Sequence, residues 1–199
     1  PYYQGTKTEP TFTFLPQQSQ KMGLRFGTKK LTFGADFGMR TTHSAIGSNP
    51  IFKLYHDPNT TFGERMIRVF GSYKTNLGKW FSQTNVQLLN YQINPGSSYI
   101  TVDNPTRFEG QFYQYGASTD LYFEQFFSTD VGTHWTVLTG ATAQFSGNLP
   151  QFDFFLSPFK PSAYNMFSNS ATGYEFLDSL GLGPYNFLTV GGILDANYK

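Results

Sequence analysis

The sequence predicts an all-β fold in which about eight antiparallel strands form one domain over residues 1–199. Charged residues make up only 14% of the chain, against roughly 25% in an average soluble domain. Ser, Thr, Asn, Gln and 20 Gly supply the remaining polarity, which is a composition of strands and turns. Several stretches also alternate apolar and polar residues, which is the period of a strand.

The first hairpin is predicted around the turn Gly27-Thr28-Lys29-Lys30. Before it, Met22, Leu24 and Phe26 share one face of a strand that extends back to Thr11. After it, "KLTFGADFGMR" places every second residue, from Leu31 to Met39, on one apolar face. The two strands are expected to pair antiparallel.

Two further hairpins follow a predicted loop over Thr41 to Gly63. Their turns are Thr75-Asn76-Leu77-Gly78 and Thr129-Asp130-Val131-Gly132, each followed by a Trp two or three residues later. This spacing indicates one repeated supersecondary unit. Asn-x-Gly and Asp-x-Gly are also common turn chemistry, which explains the likeness equally well.

The second of these turns leads into a strand with one apolar face. That face carries Trp135, Val137, Ala141, Ala143 and Phe145 together with Thr139. Leu149 to Ala171 is then predicted as an irregular loop, "TGYEFLDS" as a weak strand, and "FLTVGGILDANYK" as the last strand. Ile193 is the one apolar residue on the polar face of that last strand.

These hairpins resemble those of bacterial outer-membrane β-barrels, which combine alternating strands with tight turns at one rim and long loops at the other. The resemblance covers Lys21 to Ser146 and the last thirteen residues, and it is to an architecture, not to one family. It implies an antiparallel up-and-down β-barrel in the outer membrane, with membrane lipid against the apolar faces. The alternative is a jelly-roll β-sandwich, which would make the chain a capsid (shell) protein of a small virus, located in the virion.

In such a barrel the polar face points to a lumen, where ionisable groups pair or remain hydrated. We therefore expect a luminal charge network. Its residues are Asp36, Arg40, Arg68, Lys74, Glu109, Asp120 and Glu124. In a sandwich, the same residues would form a solvated outer face.

Two groups of aromatic residues carry the remaining expectations. The first lies near the two repeated turns and predicts an interfacial girdle, or core filling in a sandwich: Tyr73, Trp80, Phe81, Phe126, Phe127 and Trp135. The second lies in the predicted loop 149–171 and predicts a binding surface: Phe152, Phe154, Phe155, Phe159, Tyr164 and Phe167. So much apolar area should be covered by a protein partner, by a second copy of the chain or by a folded cap.

The sequence predicts no enzyme, no cofactor and no metal site. The chain has no Cys, and its three His residues, His43, His56 and His134, are widely separated. His43 and Ser44 would point to opposite sides of an extended chain and so could not act together. Basic residues are scattered, so no nucleic-acid partner is expected. The predicted function is an integral outer-membrane barrel with a scaffold, binding or adhesion role through its loops.

Overall fold

The computed structural model describes residues 17–44, 60–104, 107–160 and 185–198, together with the pairs 2–3 and 6–7. Side chains are described for 17–44, 60–100, 110–160 and 185–198. The predicted strand "TGYEFLDS" and the residues His56, Tyr164 and Phe167 lie outside these ranges. Glu109 lies in a strand, but its side chain is outside those described.

All regular structure in the described residues is β-strand. The strands are β1 Tyr2–Tyr3, β2 Thr6–Lys7, β3 Gln17–Gly27, β4 Leu31–His43, β5 Thr61–Leu77, β6 Trp80–Ile93, β7 Ser98–Asn104, β8 Arg107–Val131, β9 Trp135–Phe155 and β10 Tyr185–Tyr198. No helix in this part of the chain is both long and apolar enough to span a membrane. The predicted all-β class is confirmed.

Eight strands, β3 to β10, form one antiparallel sheet. Its order is β10-β9-β8-β6-β5-β4-β3, and β7 pairs with β8. Apart from β7, this is a meander, in which each strand lies beside the next one in the chain. A jelly roll needs two sheets and Greek-key crossovers, so the alternative fold is not what the described strands form.

The sheet is open in the described residues, because β3 and β10 are its two edges and do not pair. Tight turns join β3 to β4, β5 to β6 and β8 to β9 at one end, which we call the turn end. The longer connections lie at the opposite end, the loop end. Counting along the meander, β3 and β10 both run from the loop end to the turn end. The two edges are therefore parallel to each other.

The ladder registers place the predicted faces on opposite sides of the sheet. Leu24 lies opposite Ala35, Ala35 opposite Val69, and Val69 opposite Leu88. The same row continues through Leu121 and Phe145 to Leu188. Because the side-chain period of a strand is two, every second residue from this row belongs to one face of the sheet, up to the register shifts that begin beyond Ala117 and Leu149.

The three predicted turns are confirmed. β3 ends at Gly27 and β4 begins at Leu31, and Thr28 Oγ1 accepts hydrogen bonds from the backbone N–H groups of Lys30 and Leu31 at 3.2 and 3.0 Å. Gly78 and Gly132 have φ of 65° and 64°, a left-handed conformation that glycine adopts without steric cost. The two repeated turns therefore share a left-handed glycine at their first position, although the first loop has two residues, Gly78 and Lys79, and the second has three, 132–134.

The predicted loop boundaries were wrong: the loop predicted over Thr41 to Gly63 overlaps β4, which ends at His43, and β5, which begins at Thr61. The predicted loop 149–171 begins inside β9, which continues to Phe155. Register shifts between Tyr113 and Ala117 leave extra residues on β9, including Pro150, and such bulges tolerate a proline that cannot donate to the ladder. The strand β7 was not predicted, and its residues pair with β8.

Buried side chains concentrate at the loop end. A cluster of Tyr115, Ala117, Leu149, Phe155 and Phe159 forms the largest apolar core. Ile93, Tyr99 and Ile100 are buried in the same region, where β6 turns into β7. Towards the turn end, by contrast, the sheet has no second layer among the described residues. Among the described residues, the sheet is thus covered by a second layer only at its loop end.

Candidate functional site

The candidate site is the sheet itself, whose two faces differ sharply in chemistry. The apolar face carries a band of side chains across seven strands. They are Met22, Leu24, Phe26, Leu31, Phe33, Ala35, Phe37, Ile67, Val69, Tyr73, Val86, Leu88, Leu121, Phe123, Ala141, Ala143, Phe145, Leu188, Val190 and Leu194. Much of this band is open to solvent, with Leu24 68% exposed at one edge and Val190 71% exposed at the other.

Charge is almost absent from the apolar face. Arg65 is the only charged side chain there among the described residues that have ladder partners, and it lies near the loop end opposite Met39 and Gln92. Polar side chains in the interior of the band hydrogen-bond to one another. Asn90 donates to Thr119 at 2.8 Å, and Thr84 donates to Gln125 at 2.5 Å.

The polar face holds six of the seven predicted luminal residues, and Glu109 is the one whose side chain is not described. Asp36 accepts two hydrogen bonds from Arg68 on the next strand, one of them from Nε at 2.8 Å. Arg40 Nε lies 2.8 Å from Glu64 Oε1. Asp36 and Arg40 therefore each meet an opposite charge on β5.

Glu64 was not predicted as part of this network. Besides pairing with Arg40, it accepts a hydrogen bond from the Tyr91 phenol at 3.0 Å. In the sequence it follows the predicted loop Thr41 to Gly63, so no strand partner could be assigned to it. The sequence did contain one signal for Glu64. It lies four residues before Arg68, which was assigned to the polar face, and residues four apart on a strand share a face.

Asp120 and Glu124 have neutral partners instead. Ser146 and Gln144 donate to Asp120, and the Gln144 bond measures 3.2 Å. Asn85 and Tyr122 donate to Glu124 at 2.6 and 2.7 Å. These bonds hold both carboxylates in place without neutralising them. Lys74 has no carboxylate within salt-bridge distance among the described residues.

Two aromatic rings fill space on the polar face above glycines. Phe70 lies opposite Gly34 and receives two guanidinium groups, Arg25 at 5.2 Å and Arg68 at 4.9 Å from its ring centroid. Phe126 lies opposite Gly140. The polar face is therefore a mixed layer of rings, ion pairs and amides and not a uniformly hydrated surface.

The predicted girdle divides between the two faces. Tyr73, Trp80, Phe127 and Trp135 belong to the apolar face near the turn end, whereas Phe81 and Phe126 belong to the polar face. Tyr198 was not predicted, yet its ring contacts both His134 and Trp135, at centroid distances of 5.6 and 5.3 Å. Adjacent aromatic residues on a strand cannot share one face, which explains the division.

The four predicted binding residues that the structure describes, Phe152, Phe154, Phe155 and Phe159, are brought together at the loop end. A series of ring contacts links Tyr99, Phe112, Phe154, Phe152, Phe155, Phe159 and Tyr115, which we call the aromatic cluster. Phe159 is 2% exposed and stacks on Tyr115 at 4.3 Å. Phe154 is 65% exposed and Leu156 is 83% exposed. Part of the predicted binding surface is thus covered by the chain itself.

Tyr99 connects β7 to the end of β9. Its phenol donates a 2.7 Å hydrogen bond to the backbone carbonyl of Asp153. Burial raises the pKa of Tyr99 above its ordinary value, and the nearby Asp153 carboxylate raises it further. The phenol therefore remains a neutral donor at physiological pH.

His43 is a buried residue at the loop end, with its Nε2 3.3 Å from Thr60 Oγ1. The backbone N–H of Ser44 donates to the carbonyl of Thr60 at 3.2 Å. This arrangement ties the end of β4 to the start of β5. In the described ranges, no three His, Asp or Glu side chains converge as a metal site would require.

No protein-family model, curated protein or solved structure matches this chain.

Proposed function

We propose that this chain is an integral outer-membrane β-barrel with a scaffold, binding or adhesion role at its loop end. One observation carries the proposal. A band of exposed apolar side chains crosses seven strands with one charged residue among its described members, and the opposite face holds ion pairs. Exposing such a band to water is unfavourable, whereas contact with the hydrocarbon of a bilayer is favourable.

The distribution of aromatic and charged groups along the strands supports the same proposal. Trp80, Trp135 and Tyr198 lie at the turn end of the apolar face, where amphipathic rings would meet the headgroup region. Arg65 lies near the loop end of that face, where a long side chain could reach an aqueous interface. Between these ends the band is free of charge in the described residues.

The two sheet edges that are open in the described residues, β3 and β10, favour closure into a barrel. Edge strands that present apolar side chains and unpaired backbone groups promote association with other chains. In a bilayer an open sheet edge is unfavourable in free energy, because its unpaired N–H and C=O groups have no water to hydrogen-bond with. Since β3 and β10 run in the same direction, an all-antiparallel barrel needs an odd number of further strands between them. One such strand gives eight around the barrel, which leaves room for side chains but not for a wide channel.

The loop end supplies the proposed binding surface. The aromatic cluster is held together by Phe159 and Tyr115, and it presents Phe154 and Leu156 outward. Exposed apolar side chains on a packed base are typical of contact sites for another protein. The capsid alternative receives less support, because the described strands form one meander and not two sheets.

Membrane fractionation tests the proposal. We expect the chain, produced with an export signal in a bacterial host, to sediment with outer membranes and to be recovered only in detergent. The purified protein should refold into lipid vesicles and migrate differently on gels before and after heating. Recovery as a monodisperse protein in plain buffer would contradict the proposal, and assembly into particles would favour the capsid alternative.

A further inference from the structure

Charge is segregated across the polar face. In the described residues, β3, β4 and β5 carry five cations and two carboxylates on this face: Lys21, Arg25, Arg40, Arg68, Lys74, Asp36 and Glu64. β8 and β10 carry four carboxylates: Asp120, Glu124, Asp130 and Asp195. No Lys or Arg occurs between Gly110 and Phe155 or within β10. One half of the face is therefore cationic and the other anionic.

Among the described side chains, pairing between adjacent strands leaves some charged groups in both halves without an opposite charge beside them. Arg68 and Arg40 use the carboxylates of Asp36 and Glu64. Lys21, Arg25 and Lys74 have no carboxylate within salt-bridge distance among the described side chains. Asp120 and Glu124 accept hydrogen bonds only from neutral groups in the same set. Charges enclosed in a narrow interior must find partners.

In a barrel closed by one further strand, the strands that carry these groups would lie opposite each other. With eight strands around the barrel, β3 is four positions from β8, and β5 is four positions from β10. We propose that Lys21 and Arg25 form ion pairs across the interior with Asp120 and Glu124, so that the barrel is joined across its centre and its lumen is plugged. The inference rests on the closure proposed above.

The spacing within each strand fits this pairing. Lys21 and Arg25 are four residues apart on β3, as Asp120 and Glu124 are on β8, and both strands run towards the turn end. The two cations and the two carboxylates therefore lie at equal separations along their strands. Lys74 on β5 and Asp195 on β10 form a third complementary pair in the same arrangement.

A charge-exchange cycle on Arg25 and Glu124 tests the proposal. Arg25→Glu and Glu124→Arg should each lower the urea midpoint of unfolding in detergent, and the double exchange should recover most of the loss. We expect the equilibrium constants to depart from additivity by at least about threefold. The exchange of Asp36 and Arg68, which already touch, is the positive control. Lys29→Glu with Glu124→Arg is the negative control, because Lys29 lies in an exposed turn.

Cross-linking provides a second measurement that does not depend on charge reversal. The chain has no Cys, so Arg25→Cys with Glu124→Cys creates the only two thiols. A short bis-maleimide should link them within one molecule, and it should not link Leu24→Cys with Glu124→Cys, because Leu24 belongs to the other face. Additive charge effects together with absent cross-linking would overturn the inference.

The two proposals can fail separately. A protein that inserts into membranes but shows additive charge effects and no cross-link retains the proposed function and loses the ion pairs. A protein that is soluble in plain buffer yet shows the coupling and the cross-link retains the ion pairs and loses the membrane location.

Discussion

Single residues on the polar face show how closely adjacent strands pack. A Cβ added to Gly34 would lie 2.6 Å from Phe70 Cζ and 2.6 Å from the Leu24 carbonyl oxygen. A Cβ added to Gly140 would lie 2.7 Å from Phe126 Cδ1. In both places a ring on one strand occupies the space that the neighbouring glycine leaves empty. Glycine is needed at these sites for close approach and not for an unusual backbone angle.

Gly34→Ala should therefore destabilise the protein by about 1–3 kcal/mol, because the added methyl forces the Phe70 ring and the backbone apart. Gly192→Ala is the matched control, since nothing lies within 4 Å of a Cβ added there. Urea titration of both variants measures the difference. Equal stability of the two would show that the sheet relaxes around Gly34 without cost.

At the scale of whole elements, the hairpins are the best-defined units. Gly78 and Gly132 adopt left-handed angles at the first position of their turns. Gly78→Ala and Gly132→Ala should each cost about 1–2 kcal/mol in the free energy of unfolding. Asn at either site should cost less, because Asn tolerates this conformation better. A large loss of stability in one of these variants and none in the other would mean that the two hairpins are not equivalent units.

The end of β9 and the segment after it form a second element with a measurable role. Phe159→Ala removes a ring that stacks on Tyr115 and contacts Phe155, and should cost about 3 kcal/mol or more. Phe154→Ala should have little effect on stability, since that side chain is mostly exposed. Limited proteolysis should detect opening at the loop end in the first variant. Equal resistance of both variants would contradict a structural role for the aromatic cluster.

Local periodicity was enough to predict the hairpins and the faces of the sheet. The turns after Gly27, Leu77 and Val131 follow from residue types within a few positions, because turn chemistry and alternation are local properties. The ion pairs are different. Arg68 was assigned to the polar face, but its contact with Asp36 depends on the register between two strands joined by a long connection. Alternation alone does not fix that register.

The errors fall where alternation is interrupted. β7 is short and its ladder with β8 contains register shifts, so its residues do not show a clean period of two. β9 passes through Pro150 and two bulges before it ends. Each bulge reverses the parity of the residues that follow. A strand of this kind looks like a loop in a single sequence.

At the scale of the whole molecule, the environment of the apolar face decides the function. Ala141 is exposed in the middle of that face, whereas Ala196 is exposed on the same face close to the turn end. If the face meets lipid, Ala141→Arg should cost roughly 2–4 kcal/mol and Ala196→Arg roughly 0–1 kcal/mol. Refolding into vesicles of defined thickness, followed by urea titration, measures both costs.

A water-exposed face would give a different result. Both arginine variants would then be close to neutral, because an exposed strand position tolerates a charged side chain. Thr142→Arg, on the polar face of the same strand, provides a further comparison. Two neutral variants on the apolar face would contradict the lipid environment, whatever the outcome at Thr142.

The short strand β7 also affects how quickly the sheet can assemble. Without it, the nearest pair between β6 and β8, Gln92 with Ala117, would have to close a loop of 25 residues, whereas Val131 and Trp135 are four residues apart. That difference in loop length costs roughly 1.5 kcal/mol of chain entropy. β7 reduces this entropy cost, because its own ladder with β8 begins at Asn104 and Arg107, which are three residues apart in the chain. Once that ladder has formed, only Asn94 to Ser97 connect β6 to the hairpin of β7 and β8. We therefore expect variants that weaken β7 to fold more slowly, even where the final sheet is unchanged.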